Sequence, residues 1–267
     1  MSTSALFSRP LLLVTLVLML LVSCKKDSAP AAEPPTGTVV FSIANLVGTQ
    51  PLVLNSGAYT TTSGDVLKVS TFEYYLSNIQ FKKADGTVYA APDTYFLVDQ
   101  AKPQSWRFSV PGVPAGDYTE VSFVVGVDAQ KTGLTDPITF TGKFDALNPA
   151  NNMYWTWNSG HIFLKLEGTV IPAGGTAKPL TCHIGGYAAP YNAIVTAVPT
   201  LPGVVLPVRA GHSPELYLQA DVLRMFDGST QIPLGTFTGT HMPSTASVAV
   251  AQNYAASMFS IQRVVAN

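Results

Sequence analysis

The chain has 267 residues, 47% of them hydrophobic and only 12% charged, with a formal net charge of −1. So apolar a composition excludes disorder, and 15 Lys+Arg against 16 Asp+Glu leave no basic field for a nucleic-acid backbone. The length suits one large all-β domain, since sandwiches commonly reach about 200 to 250 residues as a single unit.

The first feature in chain order is an export segment. Arg9 precedes an apolar run, Leu11 to Val22, broken only by Thr15. At about 1.5 Å per residue this helix falls short of a hydrocarbon core of about 30 Å, so residues 1–23 read as a signal peptide and not a membrane span. The run closes on Leu21-Val22-Ser23-Cys24, which resembles the lipobox of bacterial lipoproteins. Acylation of Cys24 would tether the mature chain to membrane lipid, each buried methylene adding about 0.8 kcal/mol. The expected location is the periplasm or cell surface, on the outer membrane. Cys182 is then the only other cysteine, so an intramolecular disulfide is excluded in the mature chain. Residues 24–37, rich in Pro, Ala and charge, read as a flexible tether, and residues 38–267 as the folded domain.

From Thr38 onward, runs of Val, Ile, Phe, Tyr and Thr alternate with turn clusters, the pattern of a sandwich. Thr38–Ile43 reads as a first strand, and Leu67–Lys82 as a longer one closed by the Asp85-Gly86 turn. Thr94–Asp99 would pair behind it. A Pro and Gly turn at Val113–Tyr118 leads into Glu120–Val127, where Val121, Phe123, Val125 and Val127 share one face. His161–Val170 sets Ile162, Leu164 and Leu166 on one side, with His161, Lys165 and Glu167 on the other. A short helix is expected near Asp221–Phe226, and another over Ser247–Ile261 with Ser244 or Thr245 as its N-cap. The fold class is therefore all-β: a single antiparallel sandwich-like domain with two or three short helices, one near the C-terminus.

Enzyme templates are missing. The sequence holds no phosphate loop, HExxH, CxxC or GxSxG, and a hydrolase reading rests on His212 in Gly211-His212-Ser213 alone. Carboxylates such as Asp136 and Asp145 read as solvated loop residues among 16 acids. A non-enzymatic protein is expected. The unusual segment is Asn151–Gly168, where Trp155 and Trp157 lie two apart and share a face if extended. A second compact segment follows, in which His183 is flanked by Cys182 and by Gly185-Gly186, glycines that permit a tight turn or a close approach. Cys182 reads as a small buried thiol, and His161 as a surface or edge residue. His212 and His241 fall in loops. His241 and Met242 offer an imidazole or a thioether to copper, but not both, because adjacent extended residues point apart.

Met153-Tyr154-Trp155-Thr156-Trp157-Asn158-Ser159-Gly160, followed by a strand and His183-Ile184-Gly185-Gly186-Tyr187, resembles the MbnP-like family of periplasmic copper-binding proteins associated with methanobactin systems. The likeness is to the lipoprotein branch found in Bacteroidetes-type bacteria. Phe72–Phe81, Pro114–Tyr118, Gly126-Val127, Asn253-Tyr254 and Met258-Phe259 extend it over residues 38–262. The resemblance implies a monomeric β domain that binds copper through histidines. It also implies a tryptophan oxidised to kynurenine by a partner di-haem peroxidase-like enzyme. Carried over residue by residue, Trp155 is the kynurenine precursor, with Trp157 beside it, and His183 is the matching histidine. His161, His212 and His241 complete the candidate metal ligands. Two positions depart from the family pattern: Asp128–Pro137 holds no histidine, and His161 stands where the family usually has tyrosine. The alternative is a carbohydrate or small-ligand binding lipoprotein with Tyr154, Trp155, Trp157 and Trp106 as a stacking platform.

Overall fold

Alternating apolar residues and turn clusters build two stacked sheets. The structure, a computed structural model, describes residues 1–3, 34–134, 140–158 and 160–267. The export segment, Cys24, most of the tether and Asp136 lie outside the described residues. Among those described, no helix is long and apolar enough to cross a membrane.

In chain order the strands are β1 (Thr36–Val47), β2 (Gln50–Pro51), β3 (Tyr59–Thr60), β4 (Val66–Lys83), β5 (Val88–Ala90), β6 (Tyr95–Asp99), β7 (Arg107–Pro114) and β8 (Gly116–Val125). They continue with β9 (Ile162–Ile171), β10 (Lys178–Gly185), β11 (Val195–Ala197), β12 (Leu206–Val208), β13 (Glu215–Asp221) and β14 (Phe259–Val265). The α-helices are α1 (Ala129–Thr132) and α2 (Thr245–Asn253). One sheet runs β14-β13-β1-β2 with β7 added on β1, and the other is built on β10-β9-β4-β8-β11. The long β4 organises the second sheet, pairing with β9 along its first half and β8 along its second. The sandwich closes where Phe259 of β14 meets Tyr74 of β4 and Phe123 of β8, with ring centroids 5.8 and 5.1 Å apart. The expected inward face of β8 is confirmed, since Val121, Phe123, Val125 and Val127 are all buried.

Four expectations change. The domain begins at Thr36, inside the expected tether, because Gly37 and Val39 already pair with β7. The β1–β13 ladder is parallel, an exception to the antiparallel pattern. A strand, β7, precedes the Pro114–Gly116 turn, which carries the chain from the first sheet to β8 in the second. The C-terminal helix is shorter than Ser247–Ile261: α2 ends at Asn253, a single wide π turn spans Tyr254–Met258, and Phe259 starts β14. The apolar residues there satisfy helical spacing, but pairing with β13 wins for Phe259–Val265 because it completes the first sheet. The helix start is as read, with Ser244 and Ser247 forming a reciprocal capping box. Near Asp221–Phe226 the chain forms a 3-10 turn, Val222–Met225, capped by Asp221.

Candidate metal centre

A polar row crosses the second sheet on one face. Glu73 of β4 pairs with Lys165 of β9, which in turn pairs with His183 of β10. Past β10 a loop extends the row: Cys182 bridges Thr240 in parallel, the His183 N–H donates to Thr240 O at 2.7 Å, and the Thr240 N–H donates to Thr181 O at 2.8 Å. Cys182 and Thr240 are buried, so His183 and His241, the next residue on each strand, face outward side by side, with backbones about 4.8 Å apart. Gly239 makes this approach possible, because its φ is +90° and a Cβ there would lie 2.2 Å from Thr181 O. The loop is fixed downstream by the capping box of α2 and by a 3.0 Å contact between the Thr240 and Ser244 hydroxyls.

The tryptophan segment folds over this row as a tight loop. Tyr154 bridges His161, and the Trp155 N–H donates to Gly160 O at 2.9 Å, which places Trp157 in the turn. The two indoles still meet, with centroids 5.7 Å apart, but they are not equivalent: Trp155 is 5% exposed and Trp157 60%. What approaches Gly185 closely is Trp155 itself, since a Cβ there would lie 2.6 Å from the indole Cζ3. The result is an open cavity of about 560 Å³ whose wall includes Trp155, Trp157, Lys165, His183, His241 and Met242.

Electrostatics prepares one imidazole. His183 Nε2 lies 2.7 Å from Glu167 Oε1, and the Thr71 hydroxyl donates to Glu167 Oε2 at 3.2 Å. Burial lowers the His183 pKa, with the Glu167 hydrogen bond pulling the other way, so the ring is neutral at neutral pH. For Glu167, burial opposes ionisation, but the His183 and Thr71 hydrogen bonds prevail and hold the carboxyl below its usual value. A neutral ring donating Nε2–H to a carboxylate keeps its lone pair on Nδ1, the tautomer that carboxylate partners enforce on metal-binding histidines. The Lys165 ammonium is held on Asn152 O at 2.6 Å and lies 3.5 Å from Glu73. Among the described residues no three His, Cys, Asp or Glu side chains gather as a metal cluster. The cavity instead offers two imidazoles and a thioether, donors that suit copper.

The other candidates lie elsewhere. His161 is buried, not at the surface or edge: its Nδ1 is 3.2 Å from Thr132 Oγ1, its Nε2 2.9 Å from Leu147 O, and Tyr75, Phe140 and Tyr154 surround it. Strand alternation put it on the polar face, but α1 and the Gly142–Leu147 turn cover that face. His212 is exposed, with Nδ1 2.6 Å from Asn267 O. Cys182 is fully buried as read, and burial pushes its thiol up to about 12. His241 and Met242 both line the cavity, because the chain bends at Met242 instead of staying extended. The four aromatics of the alternative platform do not share a surface: Trp106 donates its indole N–H to Asp99 O, Tyr154 packs on His161, and Trp155 is buried. Sequence reasoning placed Glu167 on the polar face of β9 without a role. The signal was its position two residues from Lys165, but only the β9–β10 register shows that it meets His183.

Comparison with known proteins supports this architecture. A structure search matches MbnP from Methylosinus trichosporium with a TM-score of 0.50 and 16% identity, covering 86% of this chain and 99% of that one, which speaks to the fold alone. Comparison with curated proteins finds no match. The family model described as MbnP matches residues 36–244, nearly the whole folded domain. The chain belongs to the MbnP family.

Proposed function

We propose that this chain is a non-enzymatic copper-binding protein of the cell envelope, anchored to membrane lipid through Cys24, that holds the ion in the cavity between Trp155, His183 and His241. The observation that carries this reading is the parallel pairing of Cys182 with Thr240, which turns His183 and His241 toward the same space. Copper supplies a Lewis-acidic centre there. Glu167 sets the donor nitrogen of His183, and the buried Trp155 excludes water from one wall. Oxidation of Trp155 to kynurenine by a partner di-haem peroxidase-like enzyme, with two equivalents of peroxide reduced to water as the indole C2–C3 bond breaks and C2 leaving as formate on hydrolysis, would add an arylamine nitrogen and a ketone oxygen to that wall. An intact indole offers only an N–H donor.

The test is equilibrium titration of the full chain with copper, alongside His183→Ala and His241→Ala variants and mass analysis of the Trp155 peptide from native material. One ion should bind per chain, and loss of either imidazole should weaken it by about a hundredfold or more. A wild-type chain that takes up no copper, with Trp155 either oxidised or intact, would refute the reading. A Cys24→Ala variant should leave the membrane fraction.

A further inference from the structure

We propose that Met242 is a metal ligand whose thioether completes a soft donor set with His183 and His241, with the Trp157 indole as a cap over the ion. The inference rests on the copper reading above and adds to it the residue that selects the ion.

Met242 stands in the cavity wall yet remains 46% exposed, so core packing does not account for its position. Its placement has a local cause. Pro243 restricts the residue before it, Ser244 must reach the N-cap of α2, and the chain bends between Thr240 and Ser244 to satisfy both. That bend lets consecutive side chains, His241 and Met242, enter one space that an extended strand would have denied them.

The remaining donors point to the same ion class. Among the described residues no third imidazole, thiol or carboxylate joins a cluster with His183 and His241, and the carboxylate nearest His183 is occupied by its Nε2–H. Two imidazoles and a thioether form a sparse, soft set, which favours a monovalent d10 ion such as Cu(I) or Ag(I) over a divalent ion that demands more and harder ligands. The Lys165 ammonium in the same wall reinforces this, because its repulsion scales with the charge of the guest and is doubled for a divalent ion. Trp157, 60% exposed and tilted against Trp155, stands in the cavity wall, where a partly desolvated cation gains from the ring quadrupole.

The experiment uses the full chain, titrated without oxygen with Cu(I) in competition with a chromogenic chelator, then with Ag(I) as a redox-inert probe and with Cu(II). It includes Met242→Leu, a volume-conserving change that leaves the fold intact, and follows the methyl resonance of a 13C-labelled Met242. Ag(I) should shift that resonance, and Met242→Leu should weaken Cu(I) and Ag(I) by about tenfold or more while leaving Cu(II) within about twofold. Trp157→Leu should weaken both monovalent ions by a smaller factor. An unmoved methyl resonance, or equal Cu(I) affinity in Met242→Leu, overturns the inference. If His183→Ala loses copper while Met242→Leu does not, only this inference fails. If the wild type takes up no copper at all, the reading beneath it has failed first.

Discussion

His161 immediately precedes β9 and His183 sits on the neighbouring β10, yet their surroundings differ. Both nitrogens of His161 are used, by Thr132 Oγ1 and Leu147 O, inside an aromatic cage of Tyr75, Phe140 and Tyr154. Among the described residues only one nitrogen of His183 is committed, to Glu167, and the ring lines a cavity. A histidine becomes a candidate ligand when the fold fixes one nitrogen and leaves the other free. When the fold takes both, the ring is a structural strut. Both rings are kept neutral by burial, so protonation state alone does not separate them.

The largest effect that could break this comparison is expected at His161. His161→Ala would leave Leu147 O and Thr132 Oγ1 without their partner and open a void in the cage, which should cost about 3 kcal/mol in chemical unfolding with copper affinity in the surviving folded fraction little changed. His183→Ala should do the reverse. Equal stability losses in the two variants would erase the distinction.

Acid should expose the same strut. Burial lowers the His161 pKa to about 4, from an ordinary value of 6.5 in the unfolded chain. Its folded form therefore resists protonation. The stability it contributes is complete above pH 6.5 and is lost as pH falls from 6.5 toward 4, where the unfolded chain binds the extra proton. The full loss is about 3 kcal/mol. His183, also lowered by burial, adds a dependence of the same sign. Unfolding free energies measured across that window should fall steeply in the wild type and less so in His161→Gln. Parallel curves would show that His161 does not carry the dependence.

A smaller effect sharpens the His183 side. Glu167→Gln keeps the size of the side chain but can offer its amide N–H to the ring, which no longer enforces the Nδ1 lone pair. Copper affinity should fall by about tenfold, equivalent to about 1.4 kcal/mol, with the thermal midpoint nearly unmoved because the pair is partly exposed. Full affinity in this variant would mean that Glu167 does not orient the ligand.

The way these residues assemble also shows which parts of the protein were legible from the chain alone. The β8 face, the Ser244 cap and the buried Cys182 follow from alternation, capping chemistry and residue type, and a motif singled out Trp155 and His183 as candidates; all of these act over a few residues. His161 was misplaced because alternation assigns a side to a residue but not what covers that side, and α1 with the Gly142–Leu147 turn covers it. Phe259–Ile261 was read as helix because helical spacing and a strand in a buried sheet draw on the same apolar residues, and β13 supplies the edge that decides.

The sequence by itself determined that this is a β sandwich of the MbnP family and singled out Trp155 and His183 as candidate site residues, because period, turn residues and a specific motif are local properties of the chain. The tertiary structure alone decided that His241 and Met242, some sixty residues downstream of His183, share its cavity while His161 does not. The physical reason is that long-range pairing, here Cys182 with Thr240 beside a glycine that lets the backbones touch, is set by which edges remain unpaired after the sheets close.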